Sequence, residues 1–267
     1  MKRLIYSLLL LAVLGAEVTP QVYLPHRRKA FRGGYAANAT TFAGDDQCWL
    51  ERDGDLTGNA DGKSFTISFW VDFASGDNSA RRIFHNENGR LRMTREGGNT
   101  LRLTLCNSAG TALVDIETAG TLVAAGGWYH VMISVDKSVE TRRHLYINGV
   151  SDLGSVHTFL SDDVDGNTDN IDWTQNDWSI GDFIDGGAGA LAGCLSEFYI
   201  SHTYIDLSNS SNRDIFYNAA GPPQSLAAVN SPIIYLSSDF GNFHVNSGSG
   251  GNFVKKGTTD FTSCTAP

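Results

Sequence analysis

The stretch Ser64-Phe65-Thr66-Ile67-Ser68-Phe69-Trp70-Val71 decides how this chain folds. Phe65, Ile67, Phe69 and Val71 alternate with Thr66, Ser68 and Trp70. A period of two puts one set of side chains on each side of a strand, so this reads as a half-buried β-strand. The same pattern recurs outward from it. Leu101, Leu103 and Leu105 alternate with Arg102 and Thr104. His130 to Val135 is another strand, and His144 to Ile147 runs into Asn148-Gly149, a hairpin signal because both residues tolerate positive φ. Trp178 and Ile180 start a strand, Cys194, Phe198 and Ile200 line the inner side of another, and Ile233, Tyr235 and Phe253 belong to closing strands. One helix is expected near 209–220, with capping side chains from Asp206 to Asn212, an apolar side from Ile215 and Phe216, and a stop at Gly221-Pro222. Many short strands and one short helix give an all-β, two-sheet antiparallel jelly-roll sandwich.

The totals agree. The chain has 267 residues, 41% of them hydrophobic, enough for one large core; its 29 Gly against 6 Pro, clustered with Asn, Asp and Ser, mark tight turns between short strands. Charged residues are only 18%, which argues against long helices and against disorder. The net charge of −9 is unevenly spread: Lys2, Arg3, Arg27, Arg28, Lys29 and Arg32 sit in the first 32 residues, and the remainder holds 14 basic against 28 acidic side chains. So acidic a body repels phosphates, and nucleic acid is not an expected partner.

Residues 1–16 carry Lys2 and Arg3 before an apolar run from Leu4 to Leu14, then Gly15 and Ala16. This is the order of a secretory signal, or else an anchoring segment, and it is too short for a stable transmembrane span. Residues 17–34 read as an extended basic arm that docks on a partner subunit or an acidic surface, and 35–267 as the sandwich domain. Cys48, Cys106, Cys194 and Cys264 lack the close spacing of a zinc site. They allow three pairings in an exported protein, and stay reduced in one assembled in the cytoplasm.

Three segments in order carry a resemblance: the Ser64–Val71 strand; Gly127-Trp128-Tyr129-His130-Val131 with Leu145-Tyr146-Ile147-Asn148-Gly149-Val150; and Gly193-Cys194-Leu195-Ser196-Glu197-Phe198-Tyr199-Ile200. Together they resemble laminin-G-like domains of the concanavalin A-like lectin and glucanase kind. The segment Asn218-Ala219-Ala220-Gly221-Pro222-Pro223 and the tail Asn246–Phe253 are similar to laminin-G-like proteins encoded by tailed bacteriophages. The resemblance implies a non-catalytic binding or structural module, displayed on a virion as a fibre, spike or decoration component. Its expected partners are other virion or surface subunits, a second copy of itself, or acidic or neutral glycans at a host surface. The alternatives are a secreted cellular glycan-binding or adhesion protein, and a divergent glycan hydrolase or lyase. In each case the place is extracellular.

Glycanases on this fold need two carboxylates across the scissile bond. None of the seven glutamates opens the Glu-x-Asp-x-Glu type of pattern; Glu51, followed by Asp53 and Asp55, comes nearest. No catalytic residue is therefore assigned. Calcium is the candidate cofactor, since many members of this fold bind it in a loop, and Asp163, Asp165, Asn167 and Asp169 form the best oxygen-rich segment. It opens like an EF-hand loop, but Thr168 stands where Gly is required and Thr174 where a bidentate Glu belongs. The candidate glycan site is basic. Arg81, Arg82, Arg90, Arg92, Arg95 and Arg102 fall within 22 residues, and Arg90 and Arg92 alternate with Leu91 and Met93, so both leave one sheet face. Guanidinium groups of Arg90, Arg92 and Arg95 suit sulfate or carboxylate groups of acidic glycans, and Trp173, in a polar loop, suits stacking on a sugar ring.

Overall fold

In the computed structural model, residues 39–44, 48–86, 88–182, 189–217, 225–237, 240–265 and 267 are described. The expected segments 1–16 and 17–34 lie outside them. Two antiparallel sheets of eight strands each make up the fold. The first sheet runs β10 (Val150–Ser151), β9 (Arg143–Ile147), β8 (Trp128–Asp136), β3 (Ser64–Phe73), β13 (Ala192–Ser201), β1 (Ala39–Ala43) and β16 (Thr262–Ser263), and β14 (Ile234–Leu236) also pairs with β13. The second runs β11 (Leu153–Phe159), β7 (Ala112–Thr118), β6 (Leu101–Cys106), β5 (Leu91–Arg95), β4 (Arg81–Asn86), β12 (Trp178–Ile180), β2 (Cys48–Arg52) and β15 (Val254–Gly257).

The core lies between the sheets, as the alternation requires. Phe65, Ile67 and Phe69 of β3, Val131 and Ile133 of β8, and Phe198 of β13 are fully buried together with Ile180, Met93, Leu103 and Leu105 of the second sheet. Asn148 and Gly149 turn β9 into β10 with φ of 51° and 76°, the positive pair that matches the twist of a two-residue hairpin. A disulfide joins Cys194 of β13 to Cys264 beyond β16, whereas Cys48 and Cys106 are buried free thiols.

The short helix expected near 209–220 is present. The 209–220 helix is a single turn, α2 (Ser210–Arg213), capped by the Asn209 side chain, which accepts from the Ser211 N–H at 3.0 Å. Beyond it the Phe216 and Tyr217 N–H groups still donate to Arg213 O at 3.0 and 2.9 Å, and the Phe216 ring packs edge-on to Tyr199 at 5.4 Å. Residues 218–224 lie outside the described ones. The expectation that needs correction is the half-buried strand: on the outer side of β3, Thr66 and Ser68 are as inaccessible as the core side, and Trp70 is buried too. The reason is a second apolar cluster on that side of the first sheet, in which Ile205, Leu207, Phe216 and Leu226 pack with Met132, Tyr199 and Tyr235. Hydrogen bonds tie it down, from Thr66 Oγ1 to Thr203 O at 2.7 Å and from the Ile205 N–H to Ser134 Oγ at 2.9 Å.

A candidate anion-binding face on the second sheet

The outer side of the second sheet has a different chemistry. In β5, β6 and β7 the core takes Leu91 and Met93, Leu101 to Leu105 on odd numbers, and Val114 and Ile116. The intervening positions, Arg92 and Thr94, Arg102 and Thr104, Asp115 and Glu117, therefore face away from it. Register places them in rows: His85 opposite Arg92, Arg92 opposite Thr104, Thr104 opposite Asp115; and Arg82 opposite Thr94, Thr94 opposite Arg102, Arg102 opposite Glu117.

Most charges in these rows are matched. Arg102 grips Asp115 with two bonds, Nε to Oδ1 at 2.7 Å and Nη2 to Oδ2 at 2.6 Å, and that pairing lifts the Arg102 pKa further. Glu117 meets His157 Nε2 at 2.7 Å, and far along the same sheet Lys256 of β15 meets Glu51 of β2 at 3.2 Å. Arg82 Nη1 donates to Thr94 Oγ1 at 2.6 Å. Arg92 is the exception. Its Nη1 donates to the Gly89 carbonyl at 2.9 Å, and among the described residues it has no carboxylate partner. Its cross-strand neighbour His85 is buried. Burial first, then the charges of Arg82 and Arg92, push the imidazole down to about 4, so it is neutral at physiological pH. A half-buried guanidinium of this kind, beside a second arginine and a neutral imidazole, can receive an anion through charge-assisted hydrogen bonds.

The other proposed glycan residues are not brought to this place. Arg95 shares the parity of Leu91 and Met93 and points inward. Its side chain is 0% exposed, bonded to Asp77 Oδ1 at 3.2 Å, Leu122 O at 3.1 Å and Ser75 O at 3.0 Å, with its guanidinium 4.1 Å above the Phe73 ring. Arg90 precedes β5 and leans 3.5 Å from Asp172 Oδ2. Trp173 is fully buried, stacked on Trp178 at 6.4 Å and edge-on to Phe65 at 5.5 Å. A ring packed on both sides by core aromatics offers no face to a sugar. His85, missed by sequence reasoning, follows from the pairing of β4 with β5 and not from any local motif.

The expected calcium ligands do not fit a metal either. Asp163 Oδ1 accepts from the Glu140 N–H at 2.8 Å, Asp165 Oδ2 from the Ser161 N–H at 2.8 Å, and Asp169 Oδ2 from Asn107 Nδ2 at 2.8 Å. Asn167 turns to Lys137 instead. Among the described residues no three His, Cys, Asp or Glu side chains come together to hold a metal ion. No helix among them is long and apolar enough to cross a membrane, which says nothing of β-barrel spans.

Comparison with known proteins bears on the frame that holds this face. A family profile described as the concanavalin A-like lectin/glucanases superfamily matches residues 42–206, more than half of the chain. No curated protein sequence matches it. Among solved structures, it is similar to a native heptameric SAP-like pentraxin from Limulus polyphemus, with a TM-score of 0.52 and 16% identity over 85% of this chain and 94% of that one. It is also similar to a candidate carbohydrate binding protein from Bacteroides ovatus, with a TM-score of 0.57 and 16% identity over 87% of this chain. This chain covers 61% of that protein. At such identities the likeness is one of fold.

Proposed function

The chain belongs to the concanavalin A-like lectin/glucanase superfamily, and from that premise we propose that it is a non-catalytic, extracellular glycan-binding module whose ligand is acidic. The observation that carries this is Arg92, a guanidinium on a polar sheet face where the neighbouring Arg102 is already paired with a carboxylate. A sulfate or uronic carboxylate supplies the anion that no described residue gives Arg92, with Arg82 beside it. Support for a non-catalytic role comes from Glu51, the glutamate nearest to a glycanase pattern. Its Oε2 accepts from Trp49 Nε1 at 3.0 Å and its Oε1 pairs with Lys256, so both oxygens are engaged within the sheet.

Titration with a sulfated oligosaccharide tests the reading. Arg92→Ala is expected to weaken binding by roughly 10- to 100-fold, the worth of a charge-assisted bond, and Arg92→Lys by less. Arg95→Gln does not serve as a control, because Arg95 is structural; Arg90→Gln does, and should change little. Equal affinity in Arg92→Ala sinks the proposal.

In finer form the module is a bacteriophage virion component, a fibre, spike or decoration, joined to other subunits through residues 17–34. The likeness of the 218–223 and 246–253 segments to phage-encoded relatives supports this. A second reading, a secreted cellular adhesion protein, is favoured by the Cys194–Cys264 disulfide, since such bonds persist in oxidising compartments. Intact mass of the native protein, with and without reductant, separates them. Loss of residues 1–16 with a disulfide indicates secretion; a full-length chain with four thiols indicates assembly in a reducing cytoplasm.

A further inference from the structure

The loop that resembles a calcium site already contains a cation. After β11 the chain enters one helical turn, α1 (Asp162–Asp165), capped by Ser161 Oγ, which accepts from the Val164 N–H at 3.3 Å. Gly166, with φ of 64°, ends the turn and brings Asn167 back toward Lys137, just past the end of β8. The Lys137 side chain is 0% exposed. Its Nζ lies 3.0 Å from Asp162 Oδ1, 2.8 Å from the Asn167 carbonyl and 3.2 Å from Asn167 Oδ1. An ammonium has three protons to donate and accepts none, so these three oxygens satisfy it completely.

The surroundings fix it there. The Lys137 N–H donates to Lys63 O at 3.0 Å, and its carbonyl accepts from the Asp162 N–H at 3.0 Å. Lys63 Nζ bonds the other Asp162 oxygen, so one carboxylate bridges two ammonium groups. Burial alone would raise the Asp162 pKa; the bonds from Lys63 and Lys137 outweigh it and hold the carboxyl below its usual range.

We infer that Lys137 is the resident cation of the 161–169 loop and takes the place of the calcium ion that the sequence of the loop suggests. Calcium requires roughly six to eight oxygens at about 2.3–2.6 Å. Here Asp163, Asp165 and Asp169 are turned to other donors. A metal entering the cradle must expel a buried ammonium or share a pocket with it, and either is unfavourable. The consequence is functional: the order of this rim, and any binding beside it, does not depend on free calcium, and a chelator cannot release it.

The test uses the full chain. Its melting temperature should not move between excess calcium and excess EDTA, and terbium should give no luminescence sensitised by the protein's tryptophans. Lys137→Met should melt lower by on the order of 10 °C, because it leaves the Asp162 and Asn167 oxygens buried without their donor. Lys137→Met with Asp162→Asn should regain part of that loss. A calcium-dependent rise in the melting temperature of the unmodified chain overturns the inference, as does a Lys137→Met variant that melts with it. If Lys137→Met does not accumulate as folded protein, the calcium and terbium titrations of the unmodified chain decide the matter alone.

Discussion

The two sheets expose their outer sides to different fates. On the first sheet, Met132 and Tyr199 pack with Ile205, Leu207, Phe216 and Leu226 in an apolar cluster separate from the main core, and His130 is buried beside them against Trp70 and Tyr217. On the second, the corresponding positions are Arg92, Arg102, Asp115 and Glu117; Arg102 pairs with Asp115 and Glu117 with His157 across strands, and Arg92 has no carboxylate partner among the described residues. Among the described residues no apolar cluster of that kind lies over this face. A sheet buried on both sides contributes stability; a sheet with one polar, half-buried side keeps a surface for ligands. The division of labour is therefore written in what alternates with the core residues, apolar and hydroxyl side chains in one sheet and charges in the other.

The sharpest way to break this comparison is Phe216→Ala. Phe216 is 1% exposed and packs on Tyr199, so truncation should cost about 4 kcal/mol, in the range for a buried aromatic. Chemical denaturation measures it. A cost under about 1 kcal/mol would mean that this apolar cluster is loosely packed, not a second core.

Next in size is the disulfide. Cys194 and Cys264 are separated by 70 residues, and the bond ties the C-terminal segment to the central strand of the first sheet. Cys264→Ser should cost about 3 kcal/mol, chiefly through the freedom returned to the unfolded chain. Reductant should lower the melting point of the unmodified chain and leave that of Cys264→Ser unchanged. Equal melting with and without reductant in both would show that the thiols are unpaired in the protein.

The fold was legible because alternation is a local signal. The strand of Phe65, Ile67 and Phe69 and the Asn148-Gly149 turn need only neighbours in sequence to be read. Arg95 was legible too: counting from Leu91 and Met93 puts it on the core side, and composition alone drew it into the basic cluster. Trp173 was not, because its loop is polar and its burial comes from Trp178 and Phe65 on other elements. The same holds for Lys137, whose carboxylate partner lies 25 residues away. The cover made by Ile205, Leu207, Phe216 and Leu226 has no strict period at all. It is held by scattered apolar residues and by hydroxyls such as Ser134 that receive its backbone. Periodicity reports which side of an element is apolar, not which distant segment will cover the other side.

The smallest expected effect compares one histidine from each outer side. His130, wholly buried against Trp70 at 4.7 Å and Tyr217 at 5.2 Å, is pushed down to about 3 by burial alone. His85 is pushed down to about 4 by burial together with Arg82 and Arg92. Both titrate below the ordinary value of 6.5, so the unfolded chain takes up protons first. Stability is full above that value and is lost as pH falls through it, by about 2 kcal/mol for each histidine between about pH 7 and 5. Replacing His130 with Gln should remove its share of that slope, as His85→Gln removes the other. An anion bound at Arg92 separates the two. It offsets the positive charges that face His85 and must raise the His85 pKa, whereas nothing it does reaches His130 beneath the apolar cover. Histidine chemical shifts followed against pH, with and without a sulfated oligosaccharide, read both at once. If binding leaves His85 where it was, or moves His130 as much, the ligand does not sit on the arginine face, and the contrast between the two sheets is one of stability only.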